Sequence, residues 1–338
     1  MYTINGIDVT NDIISTNTTI KASRNIVGND PILIQEFQLQ VSGAAFKLGN
    51  AYGLFPNKEH LYAYEILIDD NVFDNVIATI SEVNWDDNKD IATIKAYPII
   101  NKFINTLVEY YNDDISPSQA LEEILILNNL EDTIDTTSFI IAKGIQEANN
   151  LLCSMTVQFI DNTTIADIIN QLGVLSGADI YVGLDNKLYY LQYNSNSDVD
   201  SSFIIDNDSI ITMTLNDTSK DVKNAYTVDT MWGKWNSEDT TFGDDSISKY
   251  DKKQISYNFS SNKIISCNSI LAIIWGAENA TRRVLYPARA INIKCLDNLA
   301  QPMNLSTIFK IEDIVYGCIS VERDIKTGLL TIKGVEYV

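Results

Sequence analysis

Residues 80–96 read ISEVNWDDNKDIATIKA, and residues 319–334 read ISVERDIKTGLLTIKG. Both stretches begin with Ile-Ser, cross a polar turn that differs in length by one residue, and end with Thr-Ile-Lys and a small residue. Alternating apolar residues on both sides of a polar turn predict a β-hairpin. The apolar positions of the return strands also correspond: Ala92, Ile94 and Ala96 in the first, Leu330, Ile332 and Gly334 in the second.

Two similar hairpins almost a chain length apart predict a structural duplication, because self-similarity of this kind marks repeated units. The alternative is chance, since short strands are built from a small set of residue types. Each hairpin closes a β-rich block, so a duplication would involve the two ends of the chain.

The pattern of strands and helices divides the chain into three predicted domains. Residues 1–100 have the β-branched and aromatic runs of strands, and residues 206–338 return to strands with one amphipathic helix at about 269–285. Between them, residues 101–205 combine helix signals with a hairpin and predict a small α/β insertion. The predicted fold class is therefore mainly β with an α/β insertion.

Two capping signals mark helix starts in the insertion. Ser116 precedes Pro117 and stands three residues before Gln119, which predicts a capping box at the start of a helix. Thr164 and Asp167 predict a second box, followed by an apolar stripe and then by a hairpin.

The composition limits the possible partners. The 338 residues are 45% hydrophobic and carry a net charge of −21, with most of the acidic excess in residues 1–200. So acidic a surface repels phosphate, which argues against specific nucleic-acid binding. The four cysteines are scattered and predict reduced thiols. The start lacks a signal peptide and no apolar run reaches ~20 residues, so we expect a protein of a reducing cytoplasm without stable membrane insertion.

Side-chain chemistry offers few candidate sites. His60 is the only histidine, no phosphate-binding glycine motif is present, and paired carboxylates are expected by coincidence in so acidic a chain. We therefore expect no enzymatic activity, no cofactor and no metal. The aspartates of residues 194–209 have oxygen-rich spacing that can bind calcium, but they lack an EF-hand glycine and glutamate, and a solvated linker is favoured.

Two aromatic stretches are candidate partner or subunit interfaces. The long connection at residues 42–60 is too aromatic for a disordered loop, and MWGKW places two tryptophans beside a strand end. The candidate residues are Phe46, Leu48, Tyr52, Leu54, Phe55, Trp232 and Trp235.

The order of these blocks resembles the baseplate or tail-tip hub proteins of tailed phages and phage-tail-like particles. Three stretches carry the resemblance: TTIKASRNIVGNDPILIQEFQLQVSG (18–43), TIADIINQLGVLSGADIYVGLDNKLYYLQY (164–193), and the segment from AENATRRVLYPARAINIKCL (277–296) to the end. The aromatic connection at residues 42–60 is longer than that pattern requires.

The resemblance implies that the two blocks are similar β-barrel domains of the tube type. A homotrimer would then present six barrels as a ring that joins the sixfold tail tube to a threefold central spike or fibre. Implied partners are the tail tube or distal tail protein, the spike or fibre, and the tape-measure protein, with DNA only in transient passage. The implied location is the virion tail, assembled in the host cytoplasm.

Three alternatives remain open at this point. A hydrolase would need two carboxylates placed in a cleft. A hexameric distal-tail ring protein would have a single barrel per chain with an appended domain. A receptor- or glycan-binding tail-tip module would use the tryptophans and the aromatic connection.

Overall fold

A computed structural model describes residues 2–4, 6–14, 19–23, 35–42, 65–68, 76–86, 88, 91–97, 100–183, 187–192, 203–218, 222–230, 232–237, 242–259, 265–267, 269–282, 288–296, 299, 303, 307–324 and 327–336. Its strands are β1 Tyr2–Ile4, β2 Ile7–Asp8, β3 Thr19–Ser23, β4 Gln35–Ser42, β5 Glu65–Ile68, β6 Val76–Asp86, β7 Ile91–Tyr97, β8 Tyr110–Ile115, β9 Cys153–Val157, β10 Asp179–Val182, β11 Leu188–Leu191, β12 Phe203–Ile204, β13 Ile210–Thr218, β14 Ala225–Thr230, β15 Gly233–Asn236, β16 Gln254–Asn258, β17 Ile265–Cys267, β18 Ala288–Leu296, β19 Ile308–Ile311, β20 Ile314–Asp324 and β21 Leu329–Glu336. Its α-helices are α1 Ile100–Asn105, α2 Pro117–Leu127, α3 Thr136–Ala148, α4 Ile165–Ser176, α5 Asp244–Tyr250 and α6 Ile270–Arg282. The predicted fold class, mainly β with helix-containing segments between two similar β-units, is confirmed.

One large sheet contains strands from both ends of the chain. Its main path runs β13-β18-β21-β20-β3-β4-β7-β6-β5-β1-β2, and β12 and β19 attach to it beside β20. The N-terminal unit is β1 to β7, and the C-terminal unit is β12, β13 and β18 to β21. The two units are joined where β20 pairs with β3.

The two units have the same strand order. In the N-terminal unit the neighbours run β3-β4-β7-β6-β5, and in the C-terminal unit they run β13-β18-β21-β20-β19. The long first strands of the repeated hairpins, β6 and β20, have 11 residues each, and the short strands beside them, β5 and β19, have four each. One difference lies at the edge, where β1 is antiparallel to β5 but β12 is parallel to β19.

A β-bulge at the same place in both hairpins supports the duplication. The pairing of β6 with β7 shifts between Ile80 and Glu82, and that of β20 with β21 shifts between Cys318 and Ser320. Ile80 is therefore the counterpart of Cys318. The sequence alignment pairs the two Ile-Ser dipeptides and makes the second turn one residue shorter. This alignment is wrong by one position. The turns have equal length, because the last pairs are Asp86 with Ile91 and, in the other hairpin, Asp324 with Leu329.

The return strands are aligned as the sequence predicted. Residues alternate between the two faces of a strand, so every second residue of β7 and β21 enters the core. The buried residues are Ala92, Ile94 and Ala96 in β7, and Leu330 and Ile332 in β21. Gly334 takes the place of Ala96.

Larger neighbouring side chains explain why position 334 is a glycine rather than an alanine. Phe309 and Tyr316 stack in the C-terminal unit with ring centroids 5.6 Å apart, whereas the register places Ile66 and Ala78 at these positions in the N-terminal unit. A Cβ added at Gly334 would lie 2.7 Å from Cζ of Phe309. The two units thus fill the same space with different residues.

Two helices of the middle region, residues 101–205, begin where the sequence predicts capping residues. At α4, the amide of Asp167 donates to Oγ1 of Thr164 at 3.2 Å and the amide of Thr164 donates to Asp167 at 2.9 Å, so this capping box is confirmed. At α2, Ser116 occupies the N-cap and Pro117 the first position, but the Ser116 side chain makes no capping bond. Gln119 instead donates to a carboxylate one turn ahead, so the capping box predicted there is wrong.

The buried hydrophobic residues form two cores. The first lies on the large sheet and contains residues of both units, including Phe37, Ile94, Ile293 and Ile332. The second combines helices with short strands from residues 103–190 and 226–277. Strand β10 lies between them, because Ile180 belongs to the second core and Tyr181 to the first.

Core membership groups the chain differently from the predicted domains. The domains 1–100, 101–205 and 206–338 remain a prediction, since shared packing does not define independent folding units. In the structure α6 packs against α4 of the middle region, although the predicted boundary puts the two helices in different domains. This contact is close because Gly177 and Gly276 face each other: a Cβ on either would overlap a backbone carbonyl of the other helix.

Candidate assembly surface

The junction between the two units is a five-residue antiparallel pairing. It runs from Ser320 opposite Ser23 to Asp324 opposite Thr19. These residues form one part of the outer edge of β20. The other part, residues 314–317, pairs with β19. One strand edge thus contacts both its own unit and the next unit.

The equivalent strand of the N-terminal unit, β6, has one part of this edge open. Residues 76–79 pair with β5, as residues 314–317 pair with β19. Among the strands that the structure describes, none pairs with residues 82–85 on this side. This open edge corresponds to the part of β20 that binds β3.

The first strand of the C-terminal unit, β13, is also open along one side. It pairs with β18, and no other described strand pairs with its second edge. Ile211, Met213 and Leu215 on this strand are 53%, 44% and 52% exposed. Unpaired strand edges with apolar side chains favour association with another strand.

These apolar residues lie on the core face of the sheet rather than on its outer face. Met213 is directly opposite Ile293 and Leu215 is opposite Ile291, and both isoleucines are buried. Opposite residues of an antiparallel pair point to the same side. The core face is therefore uncovered where the sheet ends at β13.

Polar side chains on the outer face fix the open segment of β6. Lys95 lies 2.9 Å from the Glu82 carboxylate, and Asn84 donates to the same carboxylate at 2.6 Å. The hydrogen bond from Lys95, together with that from Asn84, lowers the pKa of Glu82 below its usual value. The carboxylate is ionised and held beside the strand edge.

The predicted tryptophans occupy different environments. Trp232 is 51% exposed at the turn between β14 and β15. Trp235 is half-buried and packs on Tyr226, with ring centroids 5.3 Å apart. The predicted residues Phe46, Leu48, Tyr52, Leu54 and Phe55, together with His60, lie outside the described residues. The interface role of all seven predicted residues stays a prediction.

The open edge of β13 was not among the sequence-predicted sites. Its stretch SIITMTL (209–215) alternates apolar and hydroxyl residues, a pattern that predicts a strand. Alternation shows that a strand has one apolar face, but it does not show which neighbour covers that face. The position of β13 at the end of a sheet is therefore not visible in the sequence.

A groove of about 590 Å³ in the middle region has a carboxylate that is fully engaged in hydrogen bonds. Glu123 accepts from the Tyr110 hydroxyl at 2.6 Å, from Asn112 at 3.0 Å and from Gln119 at 3.1 Å. Burial, together with the hydrogen bond to Glu123, raises the pKa of Tyr110. These three donors fix the position of the Glu123 side chain.

Two kinds of feature are absent from the described residues. No group of three or more His, Cys, Asp or Glu side chains there converges to hold a metal ion. No helix in the same part of the chain is long and apolar enough to cross a membrane.

Three solved structures with a similar fold are described as tail proteins. The 43 kDa tail protein of prophage MuSo2 from Shewanella oneidensis matches 94% of this chain and 93% of its own, with a TM-score of 0.59 and 11% identity. Prophage tail protein gp18 from Listeria monocytogenes matches 97% of this chain and 90% of its own, with a TM-score of 0.59 and 10% identity. A tail protein from Neisseria meningitidis has a TM-score of 0.54 at 7% identity, covering 94% of this chain and 91% of its own. No protein-family model and no curated protein sequence matches the chain.

At these identities the likeness concerns the fold. The predicted resemblance to phage tail proteins is confirmed at that level, across nearly the whole chain.

Proposed function

We propose that this chain is a structural protein of a phage tail or phage-tail-like particle, located at the baseplate or tail tip. Three copies form a ring of six β-units that joins a sixfold tail tube to a threefold spike or fibre. The observation that carries this proposal is the duplication: two units with the same strand order and the same bulge in one chain. Three copies of a duplicated chain supply six similar units, whereas a single-unit chain needs six copies.

The internal junction supports ring formation. Within one chain, the two units are joined by strand pairing between the edge of β20 and the edge of β3. Closed rings of this kind also cover exposed strand edges, which otherwise favour aggregation.

The charge is consistent with a passage for DNA. Lys and Arg contacts hold phosphate, so a wall with a strong acidic excess does not retain a passing genome. The net charge of −21 supplies that excess. Expected partners are the tail tube or distal tail protein, the spike or fibre, and the tape-measure protein.

The native mass of the purified protein tests the proposal, measured by light scattering over a range of concentrations. Three copies are expected. Six copies would favour a distal-tail ring in place of the trimer, and a monomer at every concentration, including in the presence of the neighbouring tail proteins, would contradict the ring.

A second candidate function rests on Trp232. Its half-exposed ring on a turn is suited to contact a glycan or a receptor. A receptor-binding role is expected to give glycan-array binding that Trp232→Ala abolishes, with the native mass unchanged.

A further inference from the structure

We propose that neighbouring copies of this chain are joined by antiparallel pairing of β13 of one copy with residues 82–85 of β6 of the next. The inference rests on the proposed function, because it specifies the contact that closes the ring. The chain already contains one such junction, between β20 and β3. Within its described part it also presents both halves of a second junction on open strand edges.

β13 corresponds to β3 by its place in the sheet. Ile20 of β3 is opposite Phe37, and Leu215 of β13 is opposite Ile291. Phe37 and Ile291 are equivalent, since each is opposite the final small residue of a repeated hairpin. Leu215 therefore takes the place of Ile20. β3 binds β20 through the edge that faces away from β4, so β13 offers the edge that faces away from β18.

The internal junction also gives the register of the proposed contact. Within the chain, Ile20 is opposite Arg323. Trp85 is the counterpart of Arg323 in the repeated hairpin, because each lies one position before the last pair of its hairpin. This register places Trp85 of one copy opposite Leu215 of its neighbour, and Asn84 opposite Asn216.

The two faces of the sheet agree in this register. Val83 is opposite the buried Ile94 and packs against the sheet core, so it marks the core face of the open segment. Leu215 lies on the core face of β13. Asn84 and Asn216 are exposed on the other face. A register shifted by one residue would instead set the core face of one strand against the outer face of the other.

Each copy has one open edge on β13 and one on residues 82–85 of β6, so the contact between copies is head-to-tail. Such a contact closes into a ring when its rotation returns to the starting copy, and it forms a filament when it does not. If the contact between copies repeats the geometry of the internal junction, three internal and three intermolecular junctions alternate around the ring. The ring is then continuous through strand pairing.

Disulfide trapping tests the register. Opposite residues of an antiparallel pair have Cβ atoms about 4.5–5.5 Å apart, which a disulfide can bridge with a small shift. The double variant Asn84→Cys/Asn216→Cys is expected to form bonds between copies and to give dimer and trimer bands on non-reducing gels. The off-register variant Asn84→Cys/Thr214→Cys is the negative control. Lys21→Cys/Glu322→Cys, at the internal junction, is expected to cross-link within one copy.

A substitution on the open edge tests the contact by another route. Leu215→Lys leaves the monomer fold intact because this side chain is 52% exposed, but it puts a charge into the proposed contact. The dissociation constant for assembly is expected to rise about tenfold or more at each junction. Leu271→Lys, at a residue that is 73% exposed on α6, is the matched control and is expected to leave the native mass unchanged.

The outcomes separate this inference from the proposed function. Cross-linked trimers, together with loss of assembly in Leu215→Lys, support both. A trimeric mass without cross-links in register, and with normal assembly of Leu215→Lys, overturns the inference and leaves the trimer standing. A hexameric mass with cross-links in register supports the strand pairing and contradicts the trimer. A monomer without cross-links overturns both.

Discussion

The two β-units fill equivalent space with different residues, and this difference can be tested by moving residues of one unit into the other. Gly334→Ala introduces the residue that the N-terminal unit has at the equivalent position. The new Cβ would lie 2.7 Å from Cζ and 3.1 Å from Cε1 of Phe309, and 3.2 Å from Ile291. Overpacking of this kind in a filled core is expected to cost about 1–3 kcal/mol of unfolding free energy.

A second substitution should relieve this overlap. Phe309→Ile places the residue found in the N-terminal unit beside position 334, and alone it is expected to cost about 1–3 kcal/mol through the cavity and the lost ring stacking. In the double variant Phe309→Ile/Gly334→Ala, the added methyl group occupies space that the ring has left. The double variant is therefore expected to be more stable than the sum of the single variants predicts, by about 1–2 kcal/mol.

Hydrogen exchange of the β19, β20 and β21 amides is the appropriate assay. It reports opening of the C-terminal unit by itself, whereas a chain with two cores need not unfold in one step. Gly144→Ala is the matched control: an added Cβ there meets nothing within 4 Å, and the change from glycine is expected to stabilise α3 by about 0.5–1 kcal/mol. If Gly334→Ala is neutral, or if the single effects simply add, the equivalence of the two packing arrangements is refuted.

Four other expectations concern the middle region and helix α6, which packs against it. Gly276→Ala puts a Cβ into a backbone carbonyl of α4 and is expected to cost about 3 kcal/mol or more in urea unfolding, whereas a neutral result would contradict the close helix contact. Thr164→Ala removes the capping box of α4 and is expected to cost about 1 kcal/mol by the same assay. Gln146→Leu leaves the buried backbone amide of Ser118 and the buried side chain of Gln192 without their partner, at an expected cost of about 2–5 kcal/mol of unfolding free energy. The control Gln254→Leu, at an exposed strand position, is expected to stay within about 0.5 kcal/mol of the parent. Burial raises the pKa of Tyr190 above the usual value of 10.0, so the unfolded chain loses the hydroxyl proton at a lower pH than the folded chain. The free energy of unfolding should therefore fall as pH rises above about 10. Tyr190→Phe is expected to reduce this alkaline loss of stability, and an unchanged pH profile would contradict the expectation.

The sequence predicts those parts of the fold that depend on local signals. The hairpins follow from alternation around polar turns, and α4 follows from a capping box with an apolar stripe behind it. Ser116 shows what such local signals do not predict. It occupies the N-cap position as predicted, but its predicted partner Gln119 donates its hydrogen bond to Glu123 instead. Competition between side-chain partners depends on tertiary position, which a motif does not contain.

The relations between distant elements are not predictable from the pattern. The bulge at Ile80 and Cys318 shifts the structural alignment of the two hairpins by one residue relative to the sequence alignment. The amino-acid sequence contains no signal for the position of this bulge. The junction of β20 with β3 and the contact of α6 with α4 join residues that are far apart in the chain. The assembly surface depends on such relations, because a strand edge is open or covered according to its neighbours. For that reason the alternation in β13 predicts a strand but does not predict a site.

A reconstruction of the assembled protein by electron microscopy tests the central claim most directly. The account predicts three copies whose six β-units lie at one radius, with β13 of each copy beside β6 of the next. Six copies in the ring, or N- and C-terminal units at clearly different radii, would contradict it.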